Sequence, residues 1–137
     1  MSEWEKAARG TDERTYPWGE EIDDTFANYG QTNTGAYGFT PVGNYPKGVS
    51  PYGAYDMAGN AWEWVADSFD GYYYESSPAS NPLGPPDGEY GTPGKVIWGG
   101  SWDNGASDLR TAKRIWECPN CIRNGGIGFR CARSQSS

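Results

Sequence analysis

Large aliphatic side chains are scarce in this chain, whereas tryptophan and tyrosine are abundant. Leu, Ile, Val and Phe make up about 11% of the 137 residues, which is below the level at which a charged chain is expected to fold. Seven Trp and ten Tyr offset this shortage, because an aromatic side chain can bury about 150–250 Å² and carries a polar group that finds a partner inside. We therefore expect a folded domain with an aromatic core.

The 20 Gly and 10 Pro residues predict that loops outweigh regular structure. A capping pattern and a terminal glycine predict a short helix from Ser2 to Gly10. Apolar residues with strand-like patterning predict four strands, at Ala61–Ala66, Lys95–Trp102, Leu109–Arg114 and Gly128–Arg133. Together these elements predict an α+β fold with one small helix and a small antiparallel sheet, forming a single domain over residues 1–137.

Charge and composition exclude several classes of function. The net charge of −7 argues against a nonspecific nucleic-acid binder, which needs a basic face, so we expect no nucleic-acid partner. No segment approaches the ~20 apolar residues of a membrane span, and no apolar stretch follows Met1 as in a signal peptide. We therefore expect a soluble protein without membrane insertion. The absence of histidine excludes His-based catalysis and His-ligated zinc.

Several motifs in a fixed order resemble one protein family. They lie at Glu3–Gly10, Tyr16–Gly19, Tyr52–Trp64, Gly99–Trp102, Leu109–Arg114 and Gly128–Cys131. These segments are similar to the EWEYAARG, YPWG, YGLYDMxGNVWEW, GGSW, LRxAxR and GFR signatures of formylglycine-generating-enzyme or sulfatase-modifying-factor domains. The resemblance covers essentially the whole chain and implies a loop-rich C-type lectin-like fold. Domains of this family usually carry a sizeable segment before the first motif, so we expect either a trimmed domain or a fold completed from elsewhere.

The segment from Asp56 to Glu63 has the residue types of a calcium site. A hard cation prefers six to eight oxygen ligands, supplied by carboxylates and by backbone carbonyls of irregular chain. The resemblance implies that the side chains of Asp56 and Glu63 and the carbonyls of Gly59 and Ala61 are ligands. Structural Ca²⁺ is thus the expected cofactor. The alternative is that Asp56 caps a turn and Glu63 pairs with an arginine.

The cysteines argue against the oxidase activity of the family. The resemblance implies that the family's enzymes carry an active-site cysteine pair just after the GGS strand. Soft thiolates of this kind suit copper(I). Residues 103–108 of this chain contain no cysteine, so we expect a protein that is not an enzyme. Cys118 and Cys121 leave open a zinc site, a disulfide or two surface thiols, of which we favour the thiols. Cys131 is expected to be a buried strand thiol.

The segment from Trp102 to Arg130 alternates between motif residues and residues without a pattern. It resembles the variable region of diversity-generating-retroelement variable proteins, in which a rigid scaffold carries interchangeable contacts. The scaffold residues would be Trp102, Leu109, Arg110, Arg114, Ile127, Phe129 and Arg130. The candidate ligand-binding residues, here called the fillers, are Asp103, Asn104, Gly105, Ala106, Asp108, Ile115, Trp116, Glu117, Cys118, Asn120, Cys121, Ile122 and Asn124.

The resemblance implies a noncatalytic ligand-binding or display module with a hypervariable surface over residues 102–130. Its expected partner is an unknown protein or cell-surface ligand, and display on a virion or a cell surface would suit that role. Trp116, Ile115 and Ile122 are the favoured contacts, because Trp is the strongest hot-spot residue. We expect Trp116 and Ile122 on one exposed face with Asp103, Asn104 and Asp108. Two alternatives stay open: an oxidase with relocated thiols, and an inactive structural domain that retains calcium.

Overall fold

The computed structural model describes residues 3–30, 38–68, 94–119 and 125–133 of the chain. Within these ranges the regular elements are a helix α1 (Glu3–Arg9) and the strands β1 (Trp62–Ser68), β2 (Lys95–Trp98), β3 (Arg114–Glu117) and β4 (Ile127–Gly128). Two short 3-10 turns lie at Pro46–Gly48 and Ala106–Leu109. The expected preponderance of loop over helix and strand is confirmed for this part of the chain.

Helix α1 forms where the sequence predicts it. Its first turn carries Glu3 and Glu5, and its last turn carries Lys6 and Arg9, which suits the helix dipole. Gly10 ends the helix in a left-handed conformation, with φ of +76°, and its N–H donates to the Lys6 carbonyl at 2.8 Å. The expected cap, Ser2, lies outside the described residues.

The four strands form one mixed sheet in the order β3-β2-β1-β4. Strand β2 runs antiparallel to both β1 and β3, whereas β4 runs parallel to β1. The expected small antiparallel sheet is present in β1, β2 and β3, and the parallel pairing of β4 with β1 makes the sheet mixed. Alternation of apolar residues indicates a strand but does not encode its direction, which depends on the path of the preceding loop.

All four predicted strands have different bounds in the structure. Strand β1 is shifted only slightly, to Trp62–Ser68 from the predicted Ala61–Ala66. Strand β2 ends at Trp98 because Gly99 and Gly100 adopt left-handed φ values of +98° and +73°. The strand predicted at Leu109–Arg114 is replaced by the 3-10 turn and an irregular segment, and β3 starts only at Arg114. In that segment the Thr111 N–H donates to the Thr15 carbonyl at 2.8 Å, so it bonds to a distant loop instead of a strand.

The core is aromatic, as composition predicts. One buried cluster contains Trp4, Ala8, Met57, Val96 and Trp98, and a second contains Tyr16, Ala27, Ala58 and Leu109. The rings of Trp4 and Trp98 are stacked with centroids 5.2 Å apart, which joins α1 to β2. Stacked rings of this kind contribute beyond the area they bury, so a few Trp side chains replace many aliphatic ones.

Asn60 connects three loop segments just before β1. Its N–H donates to the Asn28 carbonyl at 2.8 Å, and its own carbonyl accepts from the Trp102 N–H at 3.0 Å. Its side-chain oxygen accepts from the Asn28 amide at 3.0 Å and from the Thr40 N–H at 2.9 Å. The backbone is left-handed here, with φ of 65°, a conformation that Asn adopts more readily than most residues. This buried amide therefore satisfies backbone groups that no strand pairs.

Replacement of Asn60 tests this role. We expect Asn60→Ala to lower the free energy of unfolding by about 3 kcal/mol, because buried partners lose their hydrogen bonds and alanine resists the left-handed conformation. Asn60→Gly keeps the backbone freedom and removes only the side chain, so its loss should be about 1 kcal/mol smaller. Urea denaturation measures both. Stabilities of both variants close to the wild type would contradict the role assigned to Asn60.

Candidate functional site

A cavity of about 350 Å³ opens beside β1 and β4. All four expected calcium ligands, Asp56, Gly59, Ala61 and Glu63, line it. The turn that carries them is made possible by left-handed backbone at Asp56 and Gly59, with φ of 54° and 76°. A side chain at Gly59 would place its Cβ 2.6 Å from the Asn28 carbonyl oxygen, so glycine is required there.

Glu63 is already neutralised by an arginine. Its Oε2 accepts from Arg130 Nε at 2.7 Å and from the Trp4 indole N–H at 2.8 Å, and its Oε1 accepts from Arg130 Nη2 at 2.6 Å. The same Nη2 donates to the carbonyls of Tyr55 and Asp56, both at 3.0 Å. Glu63 is 8% exposed, so the bidentate ion pair with Arg130 balances a buried charge.

Asp56 acts as a loop cap. Its Oδ2 accepts from the Gly43 N–H at 2.7 Å. The turn cap and the arginine pair were the alternative to calcium ligation, and both are present. The residues fit Ca²⁺ only in part, because a cation in this cavity would lie near the Arg130 guanidinium. Among the described residues no group of three or more Asp, Glu or Cys side chains could hold a metal. Calcium here stays a prediction.

A competition experiment tests calcium at this cavity. We expect a chelator to lower the melting temperature of the wild type by less than about 1 °C, since Arg130 already balances Glu63. In Arg130→Gln the competing charge is gone, and calcium should then raise the melting temperature. The rise should be absent when Asp56→Asn is added. A fall of several degrees in the chelated wild type would show that calcium, and not Arg130, is the native counter-ion.

The fillers of the 102–130 segment divide by exposure. The exposed ones are Asp103, Gly105 and Trp116, and the half-buried ones are Asn104, Ala106, Asp108, Ile115, Glu117 and Cys118. The fillers Asn120, Cys121, Ile122 and Asn124 lie outside the described residues. Trp116 is 48% exposed on the edge strand β3, and its ring lies against the Gly94 backbone, where an added Cβ would be 3.0 Å from the ring.

Asn104 is not an exposed contact residue. Its Oδ1 accepts from the Trp62 indole N–H at 2.7 Å and from the Ser101 N–H at 2.9 Å. Its carbonyl accepts from the Gly30 N–H at 2.8 Å. The expectation that Asn104 shares an exposed face with Trp116 is therefore wrong. Its side-chain amide accepts hydrogen bonds from core groups, as that of Asn60 does. The position of Asn104 among the fillers does not indicate this role.

Phe129 is not buried as a scaffold residue would be. It is 77% exposed and lines the cavity beside Glu63, together with the exposed Val42 and Tyr55. The reason is that β4 ends at Gly128, so Phe129 lies beyond the sheet. The strand predicted over Gly128–Arg133 is accordingly wrong past its first residue. Leu109, by contrast, is fully buried as expected.

The cysteines differ from the favoured expectation. Cys118 is disulfide-bonded, so the interpretation of 118 as a surface thiol is wrong. A disulfide is one of the alternatives that the sequence leaves open for Cys118 and Cys121. Cys131 is free and exposed. The expectation that it is a buried strand thiol is wrong, because residue 131 lies beyond the end of β4.

These features define a C-type-lectin-type domain, loop-rich with a small mixed sheet and few helices. Residues 1–135 match the family described as sulfatase-modifying factor enzyme 1-like domain, and the chain belongs to this family. It is 44% identical over 135 residues to the serine/threonine-protein kinase Pkn1 of Chlamydia trachomatis serovar L2, covering 96% of this chain and 20% of that protein. It is 35% identical over 147 residues to the formylglycine-generating enzyme of Streptomyces coelicolor. That match covers 96% of this chain and 44% of that enzyme.

The solved structure of Treponema denticola variable protein 1 is similar to this one, with a TM-score of 0.75 and 32% identity. The match covers 93% of this chain and 43% of that chain. The predicted resemblance to such variable proteins is thereby confirmed. The chain spans less than half the length of each of these relatives. The family includes enzymes and also a mouse protein described as inactive C-alpha-formylglycine-generating enzyme 2. None of the described helices is long and apolar enough for a membrane span.

Proposed function

We propose that this domain is a noncatalytic ligand-binding or display module whose residues 102–130 form a hypervariable surface. The observation that carries the proposal is the division of this segment into anchored and exposed residues. Leu109 and Thr111 are buried, with exposures of 0% and 1%, and Arg130 is bonded to Glu63. Asp103 precedes these anchors in the sequence and Trp116 lies between them, and both residues are exposed. Such a division allows side chains to change at the surface without disturbing the fold.

Trp116 is the principal contact in this proposal. Its ring is backed by the Gly94 backbone, and its own backbone pairs with that of Val96 in β2. A large ring that is held on one side and exposed on the other loses little conformational freedom when a partner covers it. Among the described strands β3 lies at the edge of the sheet, and this edge is where we place the protein or cell-surface ligand.

A noncatalytic role is favoured over the oxidase alternative by the state of the thiols. Residues 103–108 contain no cysteine where the family's enzymes place their pair. Cys118 is disulfide-bonded and therefore presents no thiolate, which leaves Cys131 as the free thiol among the described residues. A single exposed thiol does not form the soft two-thiolate site that copper(I) prefers.

Titration with copper(I) tests the noncatalytic role. We expect the titration to show no tight binding site, and a stoichiometric, thiol-dependent site would revive the enzyme alternative.

A display library tests the division into anchored and exposed residues. One library randomises Asp103, Gly105 and Trp116, and a matched library randomises Asn104, Leu109 and Thr111. We expect most members of the first to stay protease-resistant and most of the second to unfold, because only the second removes buried contacts. Equal loss in both libraries would contradict the proposed surface. Selection of the first library on a chosen test protein such as lysozyme should yield binders with an unchanged scaffold.

The genomic context provides an independent test. We expect a near-copy of the DNA encoding residues 102–130 to lie beside a reverse transcriptase gene. Sequences from different cells should then vary at filler codons such as those of Asp103 and Trp116 and stay constant at Leu109. Uniform sequences together with no such copy would favour the inactive structural alternative over a diversified surface.

A further inference from the structure

A second cavity, of about 540 Å³, carries a positive lining in a chain that is acidic overall. It lies between the segment that follows α1 and the segment that precedes β3. Its lining includes five cationic residues and a single acidic one: Arg9, Arg14, Arg110, Lys113, Arg114 and Glu13. We call it the basic cavity, defined by residues 9, 13–15 and 110–114.

The two walls of the basic cavity are bonded to each other through Thr111. Its N–H donates to the Thr15 carbonyl at 2.8 Å, and its hydroxyl donates to the Arg14 carbonyl at 3.0 Å. Thr111 is 1% exposed, so these bonds are shielded from water. Behind it, the Lys113 N–H donates to the Arg110 carbonyl at 2.8 Å and closes a turn. The cations are thus mounted on a fixed backbone.

At least three of the cations have carboxylate partners. Arg9 pairs with Glu5 at 2.8 Å, Arg14 with Asp12 at 2.6 Å, and Lys113 loosely with Asp108 at 3.7 Å. The Arg14 side chain holds the pKa of Asp12 at about 2, down from 3.8, chiefly through their hydrogen bond. Arg14 therefore keeps its partner at all ordinary pH values.

Arg110 and Arg9 still have donor capacity. Arg110 is exposed, and its Nε donates to the neutral Ser107 carbonyl at 2.9 Å. Within the described ranges no carboxylate lies at ion-pair distance from it. The Nε of Arg9 is buried and has no acceptor among the described atoms. A buried donor without an acceptor is unfavourable, and a bound anion that reaches this N–H would relieve that cost.

We propose that the basic cavity binds an oxyanion of the phosphate type. A guanidinium can donate two parallel hydrogen bonds to two oxygens of one phosphate, whereas chloride offers only a single acceptor atom. The volume exceeds that of a lone phosphate, so the anion could be free or carried on a larger molecule. Arg110 and Arg114 stand among the motif residues, and Lys113, between them, is not one of the fillers. This anion site would therefore stay constant while the variable surface changes, and it does not depend on the proposed function.

Binding is tested by calorimetry with inorganic phosphate, with chloride at equal ionic strength as the reference. The variant Arg110→Gln/Lys113→Gln removes two cavity charges, and Lys6→Gln/Arg133→Gln removes two exposed charges outside the cavity. We expect the cavity variant to bind phosphate about tenfold more weakly and the control to stay within about twofold of the wild type. Equal weakening in both variants, or phosphate binding no tighter than chloride, would overturn the proposal.

A second measurement requires no variant and so does not depend on the folding of one. Phosphate should shift the side-chain Nε–H resonance of Arg9 in the wild-type nitrogen-15 spectrum, and chloride should not. An unchanged Arg9 resonance at saturating phosphate would contradict the assigned cavity. O-phosphoserine distinguishes the two sources of the anion. Tighter binding than phosphate supports a phosphoryl group on a larger ligand, and equal or weaker binding supports a free anion at the same site.

Discussion

The bonds around the Glu63 carboxylate hold together three parts of the chain that are far apart in sequence. Trp4 reaches it from α1, and Arg130 reaches it from the segment after β4. Arg130 also binds the carbonyls of Tyr55 and Asp56, so the loop that leads into β1 belongs to the same unit. A buried carboxylate is stable only when its oxygens are bonded and its charge is balanced. The cavity beside β1 and the position of the C-terminal segment both depend on this arrangement.

Buried amides extend the same principle to the loops. Asn60 bonds to Asn28 and Thr40, and Asn104 bonds to Trp62 and Ser101. A chain with few strands leaves many backbone groups without ladder partners, and each of these groups must still be satisfied when it is buried. Side-chain amides supply donors and acceptors at single points. The domain is therefore organised by polar connections around a stacked aromatic core.

The sequence predicted some features well because they are local. The capping pattern and the stop at Gly10 located α1, and the alternation around Trp62 located β1. Predictions that required knowledge of neighbours were less accurate. Phe129 and Cys131 follow a strand motif but lie beyond a strand of two residues, and Asn104 stands among exposed residues but bonds inward. No periodic pattern distinguishes these cases, because the deciding partner is elsewhere in the chain.

The sequence by itself determined the family, the aromatic character of the core and the lack of cysteine at residues 103–108. These depend on residue identity and short-range spacing. Only the tertiary structure decided that Glu63 pairs with Arg130 and that the cations near residues 9–15 and 110–114 line one cavity. The hydrogen bond between Thr111 and Arg14 joins positions 97 residues apart. Contacts over such separations follow from the path of the whole chain, so local sequence patterns do not specify them.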